Sequence, residues 1–142
     1  MPTAAESTPI TPRTPLMVQY FSAREEHPGV ILLMRVGDFF EAYGPDAETI
    51  AEALNITLTS REDAGQRMAM AGVPHHAAER YVARLIKQGY RVALMDQVED
   101  PKQAKGLVKR RVTRVVSSGT VFEDSLLDSK TNNYLVAAVV GD

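Results

Sequence analysis

Five consecutive apolar residues, Val30-Ile31-Leu32-Leu33-Met34, set the terms for what surrounds them. A short strand that is apolar on both faces predicts a central position in a sheet covered on each side. Arg35 and Val36 follow, and the pair Gly37-Asp38 is a turn signal. The chain then re-enters as Phe39-Phe40-Glu41-Ala42-Tyr43. In an extended segment alternate side chains share a face, which puts Phe39, Glu41 and Tyr43 on one side and Phe40 and Ala42 on the other. Burying an unpaired carboxylate is costly, so the Phe39/Glu41 face is predicted to lie outside the core. It offers an apolar wedge with a hydrogen-bond acceptor roughly 6–7 Å along the same edge. Two readings fit: an edge strand with one exposed phenylalanine, or a surface for a flat, polar-edged ligand such as a base.

The flanking segments supply cover for such a strand. Residues 1–13 are rich in proline and threonine and nearly free of large apolar side chains, the composition of a disordered leader. Thr14-Pro15 has the form of an N-cap and first helical residue. Leu16, Met17, Tyr20 and Phe21 make a helical stripe, with Arg24, Glu25 and Glu26 toward water, and Pro28-Gly29 stops the helix. Gly44-Pro45 opens a second helix whose Ala47, Ile50, Ala51 and Leu54 recur at i, i+3, i+4 and i+7. Asp46 and Glu48 fall in its first turn, where the helix dipole favours acids. Ile56–Thr59 is predicted as a short strand, residues 61–67 as a polar loop around Gly65, and Met68–Met70 as a further strand closed by Ala71-Gly72-Val73-Pro74. A third helix is predicted from His76 to Gln88, with Val82, Leu85 and Ile86 inward and Gly89 just past its end. Strands follow at Tyr90–Met95 and Leu107–Val116, then a turn at Ser117-Ser118-Gly119. Phe122–Asn133 is polar with helical character. Tyr134–Val140 is an apolar strand that needs a sheet partner, and it is expected to open a further domain. The fold class is therefore α/β (α+β): a mixed central sheet surrounded by three helices. The expected organisation is a leader over 1–13, a main domain over 14–122, and a linker with the first strand of a following domain over 123–142.

Length and composition agree with one globular domain: 142 residues, 44% hydrophobic and 24% charged. Cysteine is absent, which points to a reducing cytoplasm. No apolar run approaches the roughly 20 residues of a membrane span, and residues 1–13 lack the apolar core of a secretory signal. Net charge is -2, but the charge is uneven. Lys102, Lys105, Lys109, Arg110, Arg111 and Arg114 lie in a stretch without acids, which leaves 10 basic residues against 18 acidic ones elsewhere. Such a strip is either a solvated face or a phosphate-binding surface.

No nucleotide-phosphate fingerprint, G-x-x-x-x-G-K-[ST] or G-x-G-x-x-G, occurs. His76 and Glu79 share a helical face and could ligate a metal, although a helix-capping role for the histidine suits the absence of cysteine and of H-E-x-x-H. Asp38, Glu41 and Asp46 could form a carboxylate cluster for metal-dependent phosphodiester cleavage. Their structural alternatives are turn, exposed-strand and helix-start residues.

Several segments together resemble one family. Arg35-Val36-Gly37-Asp38-Phe39-Phe40-Glu41 is similar to the G-D-F-[YF]-E motif of the mismatch-recognition domain of the bacterial MutS family. Met70-Ala71-Gly72-Val73-Pro74-His75-His76-Ala77 resembles its M-A-G-[IV]-P-x-H-A segment, and Asp96-Gln97-Val98-Glu99-Asp100-Pro101 its D/E-Q-[VI]-x-D-P segment. Arg110 to Val116 with Ser118-Gly119-Thr120 is similar to its R-x-V-x-R-[IV]-[VL]-T-P-G-T run, departing at Ser117-Ser118. Asn132-Asn133-Tyr134-Leu135-Val136-Ala137-Ala138 resembles the start of that family's connector domain. The resemblance implies that Phe39 stacks on a mispaired or unpaired base from the minor-groove side while Glu41 hydrogen-bonds it. The implied partner is double-stranded DNA with mismatches or small insertion/deletion loops. Arg61, Arg67, Met70, Lys109, Arg110 and Arg111 are candidate contacts to the DNA backbone. It further implies a non-catalytic fragment, without a cofactor, of a homodimeric ATPase clamp. That clamp would use ATP and magnesium beyond Asp142, recruit a MutL-type partner and work in the cytoplasm at the nucleoid. The competing expectations are a metal-dependent nuclease using Asp38, Glu41 and Asp46, and a protein-interaction domain whose aromatic strand meets a partner.

Overall fold

The computed structural model describes residues 10–119. One mixed six-stranded sheet runs in the order β3-β4-β2-β1-β5-β6. At its middle, β1 (Ile31–Val36) pairs antiparallel with β2 (Phe39–Tyr43) and parallel with β5 (Val92–Gln97). Beyond β2 lie β4 (Gln66–Pro74) and the edge strand β3 (Thr59–Asp63); β6 (Arg110–Val116) forms the other edge. The helices are α1 (Pro15–Glu26), α2 (Pro45–Leu54) and α3 (Ala78–Lys87).

The apolar run does what its two-faced character predicts. Ile31 and Leu33 enter a cluster with Ala47, Ile50 and Leu54 of α2 and Val82, Leu85 and Ile86 of α3. Val30, Leu32 and Met34 enter a second cluster with Met17 and Tyr20 of α1. The domain is thus three layers, with α1 on one face of the sheet and α2 and α3 on the other. Burying each such aliphatic side chain stabilises the fold by about 1.5–3 kcal/mol. Among the described residues no helix is long and apolar enough to cross a membrane.

Element boundaries differ from the sequence expectation chiefly where strands are polar. The segment expected to be a loop over 61–67 is instead the β3–β4 hairpin, with Asp63 paired to Gln66 across Ala64-Gly65. Both loop residues take positive φ, 52° at Ala64 and 90° at Gly65, as in a type I′ turn matched to strand twist. At a sheet edge β3 needs no apolar alternation, so periodicity did not reveal it. Ile56, Thr57 and Leu58 precede the strand, which starts at Thr59. What reads as a three-residue strand at Met68 runs nine residues, through Gly72 to Pro74. A single 3₁₀ turn, His75–Ala77, stands before α3, and β6 begins at Arg110. The expectations for Phe122–Asn133 and Tyr134–Val140 lie outside the described residues.

Two polar networks hold α1 on its face. Arg24, expected toward water, turns inward: Nη1 donates to the Val30 carbonyl and to Asp46 Oδ2 at 2.7 Å, and Nη2 to the His27 carbonyl at 2.7 Å. Asp46 Oδ2 also accepts the Leu32 N–H at 2.9 Å, so the residue expected to serve the α2 dipole joins α1, β1 and α2. Burial pushes its carboxyl up, against the lowering effect of the Leu32 N–H and Arg24. At the other end of α1, Asp63 has no exposed surface. Its Oδ2 accepts the Arg13 N–H at 2.7 Å and its Oδ1 the Thr14 N–H at 2.8 Å. Thr14 stands at the N-cap and Pro15 at N1, as expected, but the helix entrance is fastened by a carboxylate 49 residues away. Of the leader, residues 10–13 are described. There Ile10 packs against the α1-side cluster, and the Thr11 carbonyl accepts from Gln66.

Candidate nucleic-acid interface

The site begins at the β1–β2 hairpin. Val36 pairs with Phe39, so Gly37-Asp38 is a two-residue loop. Gly37 takes φ 59° at the first loop position, where a type II′ turn requires glycine. The Asp38 carbonyl accepts the His75 N–H at 2.7 Å, which pins the hairpin tip to the end of β4. From this fixed tip the pleat sends Phe40 into the α2/α3 core, 5% exposed, while Phe39 is left 44% exposed on the other face. An aromatic ring held outward on a rigid strand end is available for stacking without rearrangement.

Glu41 follows on the same face as Phe39, half-buried. The expectation that this whole face avoids the core holds for those two residues and fails at Tyr43, which is fully buried. The reason is α1, which covers only that end of the strand. Tyr20 of α1 packs edge-on against the Tyr43 ring at 4.9 Å, and its hydroxyl accepts the Tyr43 N–H at 3.3 Å. A buried phenol needs an acceptor, and Tyr43 donates to Glu41 Oε1. Burial, then the hydrogen bond to Glu41, pushes the phenol well above its ordinary pKa of 10.0, so it remains a donor.

Room for the Glu41 side chain comes from β4. Gly72 faces Glu41 in register, and a Cβ there would lie 3.0 Å from the Phe40 carbonyl oxygen and 3.1 Å from Glu41 Cγ. Sequence reasoning placed Gly72 in the segment closing the strand, whereas it lies inside β4; a glycine inside a strand marks close approach of a neighbour. Because one of the two obstacles is backbone in mid-sheet, Gly72→Ala is expected to lower stability by about 1–2 kcal/mol. Urea unfolding checks this, and wild-type stability would mean that the strands shift apart freely.

The candidate backbone contacts divide. Arg61 is half-buried on β3, its Cζ 6.0 Å from the Tyr43 ring centroid. Arg67 is exposed, with Nη1 2.9 Å from Ser60 Oγ, and Met70 is half-buried against the α1-side cluster. Lys109 and Arg111 are exposed. Arg110 is not: Nε donates to the Arg35 carbonyl at 2.7 Å and Nη1 to Gln19 Oε1 at 2.8 Å, tying β6 to β1 and α1. The basic strip is therefore split between strand faces, and Arg114 lines a groove on the opposite side of the sheet. That groove, of about 470 Å³ between α3 and β6, is lined by Phe40, His76, Val82 and Asp96 and does not include Phe39 or Glu41.

The carboxylate cluster expected of a nuclease does not form. Asp46 is spent on Leu32 and Arg24, Glu41 on Tyr43, and Asp38 is exposed in its turn. Among the described residues no group of three His, Cys, Asp or Glu side chains could hold a metal ion, His76 and Glu79 included.

The family model described as MutS domain I matches residues 14–125. The chain is 55% identical over 127 residues to the DNA mismatch repair protein MutS of Symbiobacterium thermophilum, covering 87% of this chain and 14% of that protein. It is 50% identical over 129 residues to the protein of that name from Methanothrix thermoacetophila, covering 89% and 15%. With the one from Chlorobium phaeobacteroides the identity is 48% over 132 residues, covering 92% and 15%. Fold and matches together define a first-domain module of a much longer protein type, and the chain spans about 15% of the length of these relatives. It belongs to the MutS family.

Proposed function

We propose that this domain recognises mispaired or unpaired bases in double-stranded DNA for mismatch repair. Phe39 inserts from the minor groove as a stacking wedge, and Glu41 hydrogen-bonds the displaced base. The observation that carries this reading is the exposure of Phe39 at a hairpin tip pinned on both sides, with Glu41 next along the same face. Family membership supports it. A wedge must unstack a base step, which costs roughly a few kcal/mol in intact duplex. A mismatched or looped-out base is already weakly stacked, so the cost is lower there. The wedge thus senses deformability and not sequence. Arg67, Lys109 and Arg111, exposed around the domain, suit phosphate contacts that position it.

In this reading the chain acts as part of a longer, homodimeric cytoplasmic protein that works at the nucleoid. ATP and magnesium serve that protein outside these residues, where the nucleotide fingerprint missing here would lie, and it recruits a MutL-type partner. Glu41 carries the specificity. A carboxylate brought to DNA is repelled by phosphate and loses water, both of which disfavour its approach. A weakened base pair offsets that cost by offering a free donor or acceptor, and an intact pair offsets less of it. Glu41→Gln keeps the shape and removes the charge. It is expected to raise affinity for matched duplex more than for mismatched duplex, narrowing the ratio from the matched side. Titrations of the complete polypeptide on both duplexes at one salt concentration test this. Equal affinity of the unmutated protein for the two duplexes would reject the function itself.

A further inference from the structure

The Tyr43 phenol has one proton and one acceptor for it, Glu41 Oε1. From this geometry we infer that Tyr43 is the positioning residue of the recognition carboxylate, holding one oxygen so that only the other, Oε2, is presented to DNA. The inference rests on the proposed role of Glu41 and adds what determines its aim.

Several observations make Tyr43 a rigid anchor. Its side chain is fully buried, so water does not compete for its hydroxyl. The ring is gripped edge-on by Tyr20, and Arg61 lies over it with Cζ 6.0 Å from the centroid. Its backbone N–H is bonded to the Tyr20 hydroxyl, which itself donates to the Leu32 carbonyl at 3.0 Å, fastening the ring to the central strand. Across the strand Gly72 leaves the space that the Glu41 stem occupies. A half-buried glutamate without such a partner would sample several rotamers and lose that freedom on binding. The phenol removes much of this loss in advance, since a group already held in its bound geometry binds more tightly. It also restricts how Glu41 can respond. Turning both oxygens toward a base would strand a buried donor, which is unfavourable. The carboxylate therefore meets DNA as a single acceptor of fixed direction. Such an acceptor favours a base that presents an N–H along that direction.

The test is a double-mutant cycle in the complete polypeptide. Tyr43→Phe keeps the ring and removes only the hydroxyl. Expected is a fall of about 3- to 10-fold in affinity for mismatched duplex, the scale of the net contribution of one ordinary hydrogen bond, since the phenol acts on binding only through the carboxylate. Matched duplex should change less than about 2-fold, so here the ratio narrows from the mismatched side. In a Glu41→Ala background the same substitution is expected to have no effect on either duplex, because the phenol acts only through the carboxylate. Tyr20→Phe removes the neighbouring buried hydroxyl but leaves the Tyr43 phenol bonded to Glu41; it should lower thermal stability and narrow the ratio by much less than Tyr43→Phe does. The inference is overturned if Tyr43→Phe leaves mismatched binding intact. It is equally overturned if its effect persists undiminished with Glu41→Ala, or if Tyr20→Phe narrows the ratio as much. If Glu41→Ala alone leaves discrimination intact, the recognition role of Glu41 fails and this inference falls with it.

Discussion

Phe39→Ala should abolish the preference for mismatched over matched DNA while leaving weak, salt-sensitive binding to both. The expected loss follows from what the ring does. Stacking of a base on an aromatic side chain is worth about 1–3 kcal/mol, or roughly 5- to 150-fold in affinity. In the proposed mode that energy is gained fully only where unstacking is cheap, so the loss falls on the mismatched arm. Residual binding comes from phosphate contacts, which do not distinguish the duplexes and weaken with salt. The fold should survive. Phe39 is 44% exposed, and the core position of this strand is taken by Phe40. Substitutions at such exposed sites usually change stability by less than about 0.5 kcal/mol. Paired titrations on matched and mismatched duplexes, with thermal unfolding of the same preparations, separate the outcomes. Discrimination that persists in a folded Phe39→Ala protein would sink the wedge, whatever Glu41 does.

The second large effect is expected far from the interface. Asp63→Asn should lower stability by about 1–3 kcal/mol, since it leaves a part-buried backbone donor without an acceptor. Both oxygens of the native carboxylate are in use, Oδ2 on the Arg13 N–H and Oδ1 on the Thr14 N–H. An asparagine offers one oxygen and one NH2, so one of the two N–H groups faces another donor. The pH dependence gives a sharper check. Burial raises the Asp63 carboxyl, but hydrogen bonds from Thr14, Arg13 and Gln66 outweigh it, and the net direction is below the ordinary 3.8. A lowered folded value means that the stabilisation is fully present above the unfolded value and is lost as pH falls through the folded one. The stability gap between wild type and Asp63→Asn should therefore be constant near neutrality and shrink in acid below about pH 4. A gap that is constant down to acid unfolding would mean that the carboxylate charge contributes nothing at the α1 entrance. Because α1 covers Tyr43, loosening it should also make Glu41 less well held.

How much of this was legible beforehand depends on the range over which each feature is encoded. Alternation along β2 is local, and it separated Phe39 from Phe40 correctly. It also placed Tyr43 with Glu41, but no local rule showed that α1 would bury the one and leave the other half-exposed. The 3.6-residue stripes of α2 and α3 were equally local and held. The polar β3 strand was missed, because an edge strand need not carry the alternation that identifies buried ones. Six basic residues close in sequence offered a solvated face or a phosphate-binding strip, with the strand expected to place them on both faces. In a strand, neighbours point to opposite faces, and Arg110 turned inward to carbonyl and amide partners while Arg111 stayed outside.

The amino-acid sequence by itself determined a doubly covered central strand, a tight hairpin at Gly37-Asp38 and an aromatic side chain beyond it that the core does not claim. These follow from hydrophobicity and backbone geometry over a few residues. Only the tertiary structure decided that Asp63 fastens α1, that Arg24 and Asp46 pair across three elements, that Gly72 makes room for Glu41 and that the Tyr43 hydroxyl donates to it. Each of those depends on which segments the sheet order brings side by side, at separations of 22 residues for Arg24 and Asp46 and 49 for Thr14 and Asp63, where sequence periodicity has no memory.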